Sequence, residues 1–355
     1  MISIYNMFRK MCLAAGVLAW GVLLPGCSRV DEPQARYGKV VFSISKPEVP
    51  TKASGMAPAA ETAVLRWAVF ALQDGGVVAA GENLSSDGEI AMVLPLGEYQ
   101  LCAVANYPVE GAGSFVPSSM RTLSDIESFE LPFSANRLDG FVMYGTGSLT
   151  VQQGGSMPVT VLVRRLVARV EIDCIEAGFT NELAYELGVS LSGIRMSNVY
   201  GRAALGADAS SEAMSPSEDA WVDRMGTETA GYEGILYDSV SGTFAAEGDS
   251  YSVPHVFYVY PNAVTEGGDS RDTESWSKRR TRLVIAGRIG SSVRYWNLTL
   301  PGPVVRNTSY LIEKAVLRGG GSLDPESGVE AQIDYDITTI TIDIDDDDYN
   351  VNEES

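Results

Sequence analysis

From Tyr37 onward, apolar and polar residues alternate with a period of two, in short runs broken by turn residues. That pattern excludes most folds, because it suits strands that show one face to a core and one to water. Leu65, Trp67 and Val69 alternate and run into the turn signal Asp74-Gly75-Gly76. Gly97 to Val104 alternates again, and further runs follow through Phe141–Val151 and Val159–Ile175. No long amphipathic helix is legible; 183–191 can form a short one. With 36 Gly and 16 Tyr, the chain fits an all-β sandwich protein rather than an α/β enzyme. Its 355 residues suit two domains. The run Val159–Ile172 alternates on both sides of Arg164-Arg165, as if one strand ends a first sandwich and another begins a second; one long strand in a single domain is the alternative. Two stretches, 205–250 and 263–280, read as loops.

Charge and side-chain inventory narrow the function. Lys and Arg number 26 against 46 Asp and Glu, a formal net charge of −20. A surplus of acid offers nothing to replace phosphate counterions, so no nucleic-acid partner is expected. The single histidine, His255, excludes a multi-histidine metal site and reads as structural. There is no nucleophile elbow, phosphate loop or Cys-x-x-Cys pair, so no enzyme activity, cofactor or metal is expected. The Asp345–Asp348 run lacks the glycine and distal glutamate of a calcium loop and reads as a solvated acidic end.

The N-terminus reads as an export signal over 1–26, with Arg9 and Lys10 ahead of a short apolar run. It closes on Leu24-Pro25-Gly26-Cys27, similar to a bacterial lipobox, in which Cys27 would carry lipid and target the outer membrane. An ordinary signal cleaved near Gly26 is the alternative. Cys102 and Cys174 then remain, each in a strand-like stretch. Placed in different domains, they are expected to be free thiols, although an exported protein could oxidise them.

Two similar segments lie near opposite ends of the chain. Val40, Phe42 and Ile44 alternate with Val41, Ser43 and Ser45; Ile340, Ile342 and Ile344 alternate with Thr341, Asp343 and Asp345. Each can lay three apolar side chains into one groove. Just upstream of the second, Ile333, Tyr335 and Ile337 alternate on odd numbers, so the phase changes at Thr338-Thr339. A bulge explains the change, as do two segments engaging two surfaces. Between the first segment and the next strand lies Pro47–Pro58, whose Pro and Gly content reads as an extended, exposed linker. Lys52 is its sole basic residue, a target for a trypsin-like protease. By its residues alone the linker also reads as a stalk.

Several stretches together resemble the Bacteroidales fimbrillins, subunits of protease-dependent (type V) pili, and above all their FimA/Mfa1-like major shaft subunits. They are Leu94–Asn106, Phe141–Gly145, Val163–Val170, Phe257–Asn262, Arg306–Tyr310 and Gly321–Glu326. The resemblance implies two tandem transthyretin-like β-sandwiches behind a lipoprotein signal peptide: 1–26 signal, 27–52 propeptide with the first strand, 53–163 N-terminal sandwich, 164–355 C-terminal sandwich with a donor strand. It implies a lipidated outer-membrane precursor cut between Lys52 and Ala53, then an extracellular fimbrium. The displaced strand would present Val40, Phe42 and Ile44. The donor strand of the next copy would supply Ile333, Tyr335, Ile337, Ile340, Ile342 and Ile344 by strand addition. Implied partners are copies of the chain in a head-to-tail filament, tip and anchor subunits, and the maturation protease. A tip or anchor role, or a glycan-binding surface lipoprotein using Trp221, Trp276 or Trp296, are the competing readings.

Overall fold

The computed structural model describes residues 36–46, 61–85, 88–111, 114–207, 234–265, 280–325 and 333–341, which lie within one compact unit. The first half supplies β1 (Tyr37–Ser45), β2 (Trp67–Gln73), β3 (Gly76–Asn83), β4 (Ile90–Pro95), β5 (Gly97–Ala105), β6 (Glu130–Pro132), β7 (Met143–Val151), β8 (Ser156–Leu162) and β9 (Arg164–Arg165). One short helix, α1 (Leu123–Glu127), precedes β6; Thr122 and Asp125 close its first turn as a reciprocal capping box. The alternation drives these strands into two layers. A three-stranded sheet, β4-β1-β8, covers a five-stranded sheet, β3-β2-β5-β7-β9. Between them Val40, Phe42, Ile90, Met92 and Val161 meet Trp67, Val69, Leu101, Ala103 and Met143.

Strand β2, inside the larger sheet, is buried on both faces, which is why it reads as an unbroken apolar run, whereas β3 at the edge buries none of its residues fully. The sheet's second face, with Phe70, Leu72, Cys102 and Tyr144, joins a core that includes Phe115, Ile126 and Phe133 and continues into the second sandwich. The hairpin from β2 to β3 turns at Asp74 (φ 49°) and Gly75 (φ 77°), left-handed positions that Asp and Gly tolerate.

The second half supplies β10 (Ala168–Ile172), β11 (Ile175–Ala177), β12 (Val189–Ser197), β13 (Arg202–Ala204), β14 (Tyr237–Phe244), β15 (Ser250–Tyr251), β16 (His255–Val259), β17 (Arg282–Ile289), β18 (Ser292–Thr299), β19 (Thr308–Ile312), β20 (Ala315–Leu317), β21 (Ile333–Tyr335) and β22 (Thr338–Thr341). Its helix α2 (Glu182–Leu187) overlaps the first half of the 183–191 stretch expected to form a short one and starts one residue earlier. One layer runs β16-β10-β19-β22 and continues as β15-β11-β20-β21, the four strands breaking at a common level. The other layer is β14-β12-β17-β18. Val170, Ile172, Phe257 and Ile312 are buried in one core with Ile194, Met196, Ile285 and Trp296. The expected all-β, two-sandwich class is the one observed.

The loop reading of 205–250 is corrected in part: β14 lies within it. Its sequence, Tyr-Asp-Ser-Val-Ser-Gly-Thr-Phe, buries only Val240 and Phe244. It is an edge strand, paired to β12 through a register shift at Leu191/Gly193, so most of its residues can be polar.

Candidate functional site: the β1 groove and the C-terminal strand

Strand β1 is the middle strand of its sheet. It pairs antiparallel with β4 from Tyr37↔Pro95 to Phe42↔Ile90, and parallel with β8 from Lys39↔Ser156 to Ser45↔Leu162. β4 and β8 are therefore edges that meet only through β1. Taking β1 away would leave them separated by two strand spacings, roughly 10 Å, with an apolar floor between them. The inward set follows from the period. Val40 and Phe42 are fully buried and Ile44 is half-buried against the same core. On the outer face the Ser43 and Thr160 hydroxyls pair at 2.9 Å. The strand's ends are tied as well: Leu96 N–H donates to the Arg36 carbonyl at 3.0 Å, and Val163 N–H to that of Ser45 at 3.2 Å.

Gly38, also on the inward side, is required by close approach. A Cβ there would lie 2.7 Å from the Gln152 carbonyl oxygen and from Val151 Cγ1. Neither sequence period nor composition marks that position.

The C-terminal segment forms the edge of the second sandwich. β21 pairs with β20 (Ala315↔Tyr335 to Leu317↔Ile333), and β22 with β19 (Thr308↔Thr341 to Leu311↔Thr338). The break between the two segments falls at Asp336-Ile337, just ahead of the expected Thr338-Thr339 step, which itself lies at the start of β22; β21 and β22 are laid along successive lengths of one neighbouring chain stretch. Ile333 is buried, and Tyr335 and Ile337 pack half-buried against their own core. The Tyr335 hydroxyl accepts from Thr299 N–H at 3.1 Å and donates to the Thr299 carbonyl at 3.3 Å. Arg318 Nε and Asp334 Oδ2, 2.7 Å apart, pair outside. Ile340 pairs through its backbone with Ser309. Cys27, Lys52, Ala53, Ile342 and Ile344 lie outside the described residues, as do Trp221, Trp276 and Asp345–Asp348.

Other expected positions resolve as packing. Trp296 is buried and donates Nε1–H to the Gly319 carbonyl at 2.9 Å, so it offers no exposed ring to a sugar. His255 Nδ1 lies 2.7 Å from Asp238 Oδ2 and its Nε2 lies 3.1 Å from the Tyr251 hydroxyl, a bridge between β16 and β14. Cys102 and Cys174 are free thiols. Burial pushes the Cys102 thiol up to about 11; the Tyr144 hydroxyl 3.1 Å away opposes the rise, and the Glu127 charge adds to it. Among the described residues no three His, Cys, Asp or Glu side chains gather as metal ligands do.

Sequence reasoning missed Glu61 altogether. Its carboxylate is fully buried where the two sandwiches meet, between Arg165 and Arg169. A lone glutamate in an Ala-rich stretch carries no periodic signal, and its partners lie more than a hundred positions away.

Two β-sandwiches in series are a fold that this chain shares with solved structures. A fimbrilin, FimA, from Porphyromonas gingivalis W83 superposes with a TM-score of 0.55 at 14% identity, over 86% of this chain and 99% of that one. A candidate cell adhesion protein from Bacteroides eggerthii DSM 20697 gives 0.58 at 16%, covering 86% and 96%. Another from Parabacteroides distasonis ATCC 8503 gives 0.57 at 14%, covering 87% and 100%. The chain has the fold of these fimbrilin and cell-adhesion structures. No family model and no curated protein sequence matches it.

Proposed function

We propose that this chain is a structural subunit of a cell-surface fimbrium, polymerised by protease-triggered strand exchange. The observation that carries the reading is the central position of β1: a strand bonded on both sides, to β4 and to β8, and followed in sequence by the Pro47–Pro58 stretch that holds Lys52. Export as a Cys27 lipoprotein would deliver it to the outer membrane. A trypsin-like protease would cut between Lys52 and Ala53. Loss of β1 would then open a groove between β4 and β8, with apolar places where Val40, Phe42 and Ile44 had been.

The C-terminal strand of another copy, its β22 released from β19, would fill that groove, with Ile340, Ile342 and Ile344 as the inserted residues. Ile333, Tyr335 and Ile337, which pack on their own sandwich, would serve as the root of the donor. Three buried aliphatic side chains contribute about 5–9 kcal/mol, and backbone bonds along both edges add about 1 kcal/mol each. Before the cut, β1 fills the groove from the same chain at high effective concentration and disfavours premature polymerisation. Because groove and donor are different surfaces, the contact does not close on itself and grows a filament. Within the fimbrium, a removable β1 and a C-terminal strand in one chain support a shaft role, with tip and anchor subunits and further copies of itself as partners.

The test is limited trypsin digestion of the lipid-free precursor, followed by N-terminal sequencing and electron microscopy. A new N-terminus at Ala53 with filaments, abolished by changing Ile340, Ile342 and Ile344 together to Ser, is the expected result. A clean cut with monomers only would reject the shaft role in favour of a tip subunit or a non-polymerising surface lipoprotein.

A further inference from the structure

The first described residue after the linker, Glu61, carries a fully buried carboxylate. Glu61 accepts from Arg165 Nη1 at 2.5 Å, from Arg169 Nε at 3.0 Å and from the Tyr258 hydroxyl at 2.8 Å. Arg169 also pairs through Nη1 with Glu171, and Arg165 Nε donates to Asn307 Oδ1 at 3.3 Å. Glu61, Arg165, Arg169 and Glu171 are each at most 2% exposed. Two cations and two carboxylates balance, which is the condition under which such charges can be buried at all. Donors are nevertheless in excess: Arg169 Nη2 is buried with no hydrogen-bond partner among the described residues.

The contributing elements come from both sandwiches. Arg165 is in β9, the last strand of the first sandwich; Arg169, Glu171 and Tyr258 are in β10 and β16 of the second; Asn307 immediately precedes β19. Burial alone would lower the Arg169 guanidinium, but the Glu171 hydrogen bond and the two carboxylates outweigh it and hold it above its usual value. A second tie lies four residues on. Asn106 accepts from Leu65 N–H and donates to the Ala63 carbonyl, both at 2.7 Å, and its own N–H reaches the Arg66 carbonyl at 2.9 Å.

We propose that Glu61 is a maturation stop: a buried ionic clasp that fixes the chain just downstream of the linker across the junction of the two sandwiches, so that proteolysis in the linker releases β1 and nothing beyond it. The role as a stop in maturation rests on the reading that the linker is cut; the clasp itself does not. Proteases need several residues in extended, accessible form, so a site is protected in proportion to the cost of opening it locally. Downstream of Lys52 the next basic residue is Arg66, and the clasp and the Asn106 ties bracket the approach to it.

Proteinase K digestion followed by mass measurement of the resistant body tests this without requiring a cut at Lys52. The wild-type body should begin at or before residue 61, and that of Glu61→Gln at 65 or later. Hydrogen exchange should report 61–66 protected like β2 in the wild type and at least tenfold faster in the milder Tyr258→Phe, with β12 and β17 unchanged. Identical resistant bodies, or wild-type exchange at 61–66 as fast as an open chain, would overturn the proposal; should Glu61→Gln fail to fold, the Tyr258→Phe and wild-type exchange results still decide it. If trypsin leaves Lys52 intact while these shifts occur, the fimbrial reading fails and the clasp stands.

Discussion

Phe42→Ala perturbs the groove at its centre. Phe42 has no exposed surface, lies opposite Ile90 of β4 and Val159 of β8, and shares its core with Trp67 of the facing sheet. Truncating a buried phenylalanine costs about 3–5 kcal/mol, the transfer of the ring plus the cavity it leaves. That is about half of what the three inward side chains of β1 contribute, at 1.5–3 kcal/mol each. With a urea slope of about 3 kcal/mol/M for a chain of this size, the midpoint should fall by about 1–2 M. Trp67 fluorescence reads the transition from inside the affected core, and hydrogen exchange at β1, β4 and β8 should quicken more than at β12 or β17. Leu84→Ala, at a side chain 70% exposed, serves as the control and should change stability by less than about 0.5 kcal/mol. A midpoint shift for Phe42→Ala no larger than the control's would refute the account of β1 as the strand that closes the first sandwich. After the linker is cut, the same variant should lose its β1 peptide faster on gel filtration than wild type does.

Gly38→Ala should be nearly as damaging despite adding only a methyl group, because that group meets a backbone oxygen at 2.7 Å that cannot rotate away. A loss of about 1–3 kcal/mol is expected by thermal denaturation. In the lipid-free chain begun after Cys27, iodoacetamide at pH 8 should label Cys174, half-exposed, and leave the buried Cys102 unmodified until the fold is opened. The Cys102 thiol also sets a direction in pH. Its folded value of about 11 stands above its ordinary 9, so between those values the unfolded chain gives up a proton that the folded chain keeps. Stability should therefore fall as pH rises from 9 to 11, and Cys102→Ser should lose less across that window than wild type in parallel melts.

What the sequence determined by itself was which face each strand presents. The period of two placed Val40, Phe42 and Ile44 on one side of β1, because side-chain direction is a property of consecutive residues alone; the change of phase near Thr338 signalled two C-terminal segments, although the break itself falls at Asp336-Ile337. The turn at Asp74-Gly75 was legible for the same local reason. Tertiary structure decided the partners. That β1 lies between β4 and β8, that Ile333 and Ile337 are packed on their own sandwich, and that Glu61 is a buried ion all depend on residues tens to hundreds of positions away. A strand's hydrogen-bonding edges are chemically alike whatever its side chains, so alternation tells which way a residue points and leaves open which strand lies beside it.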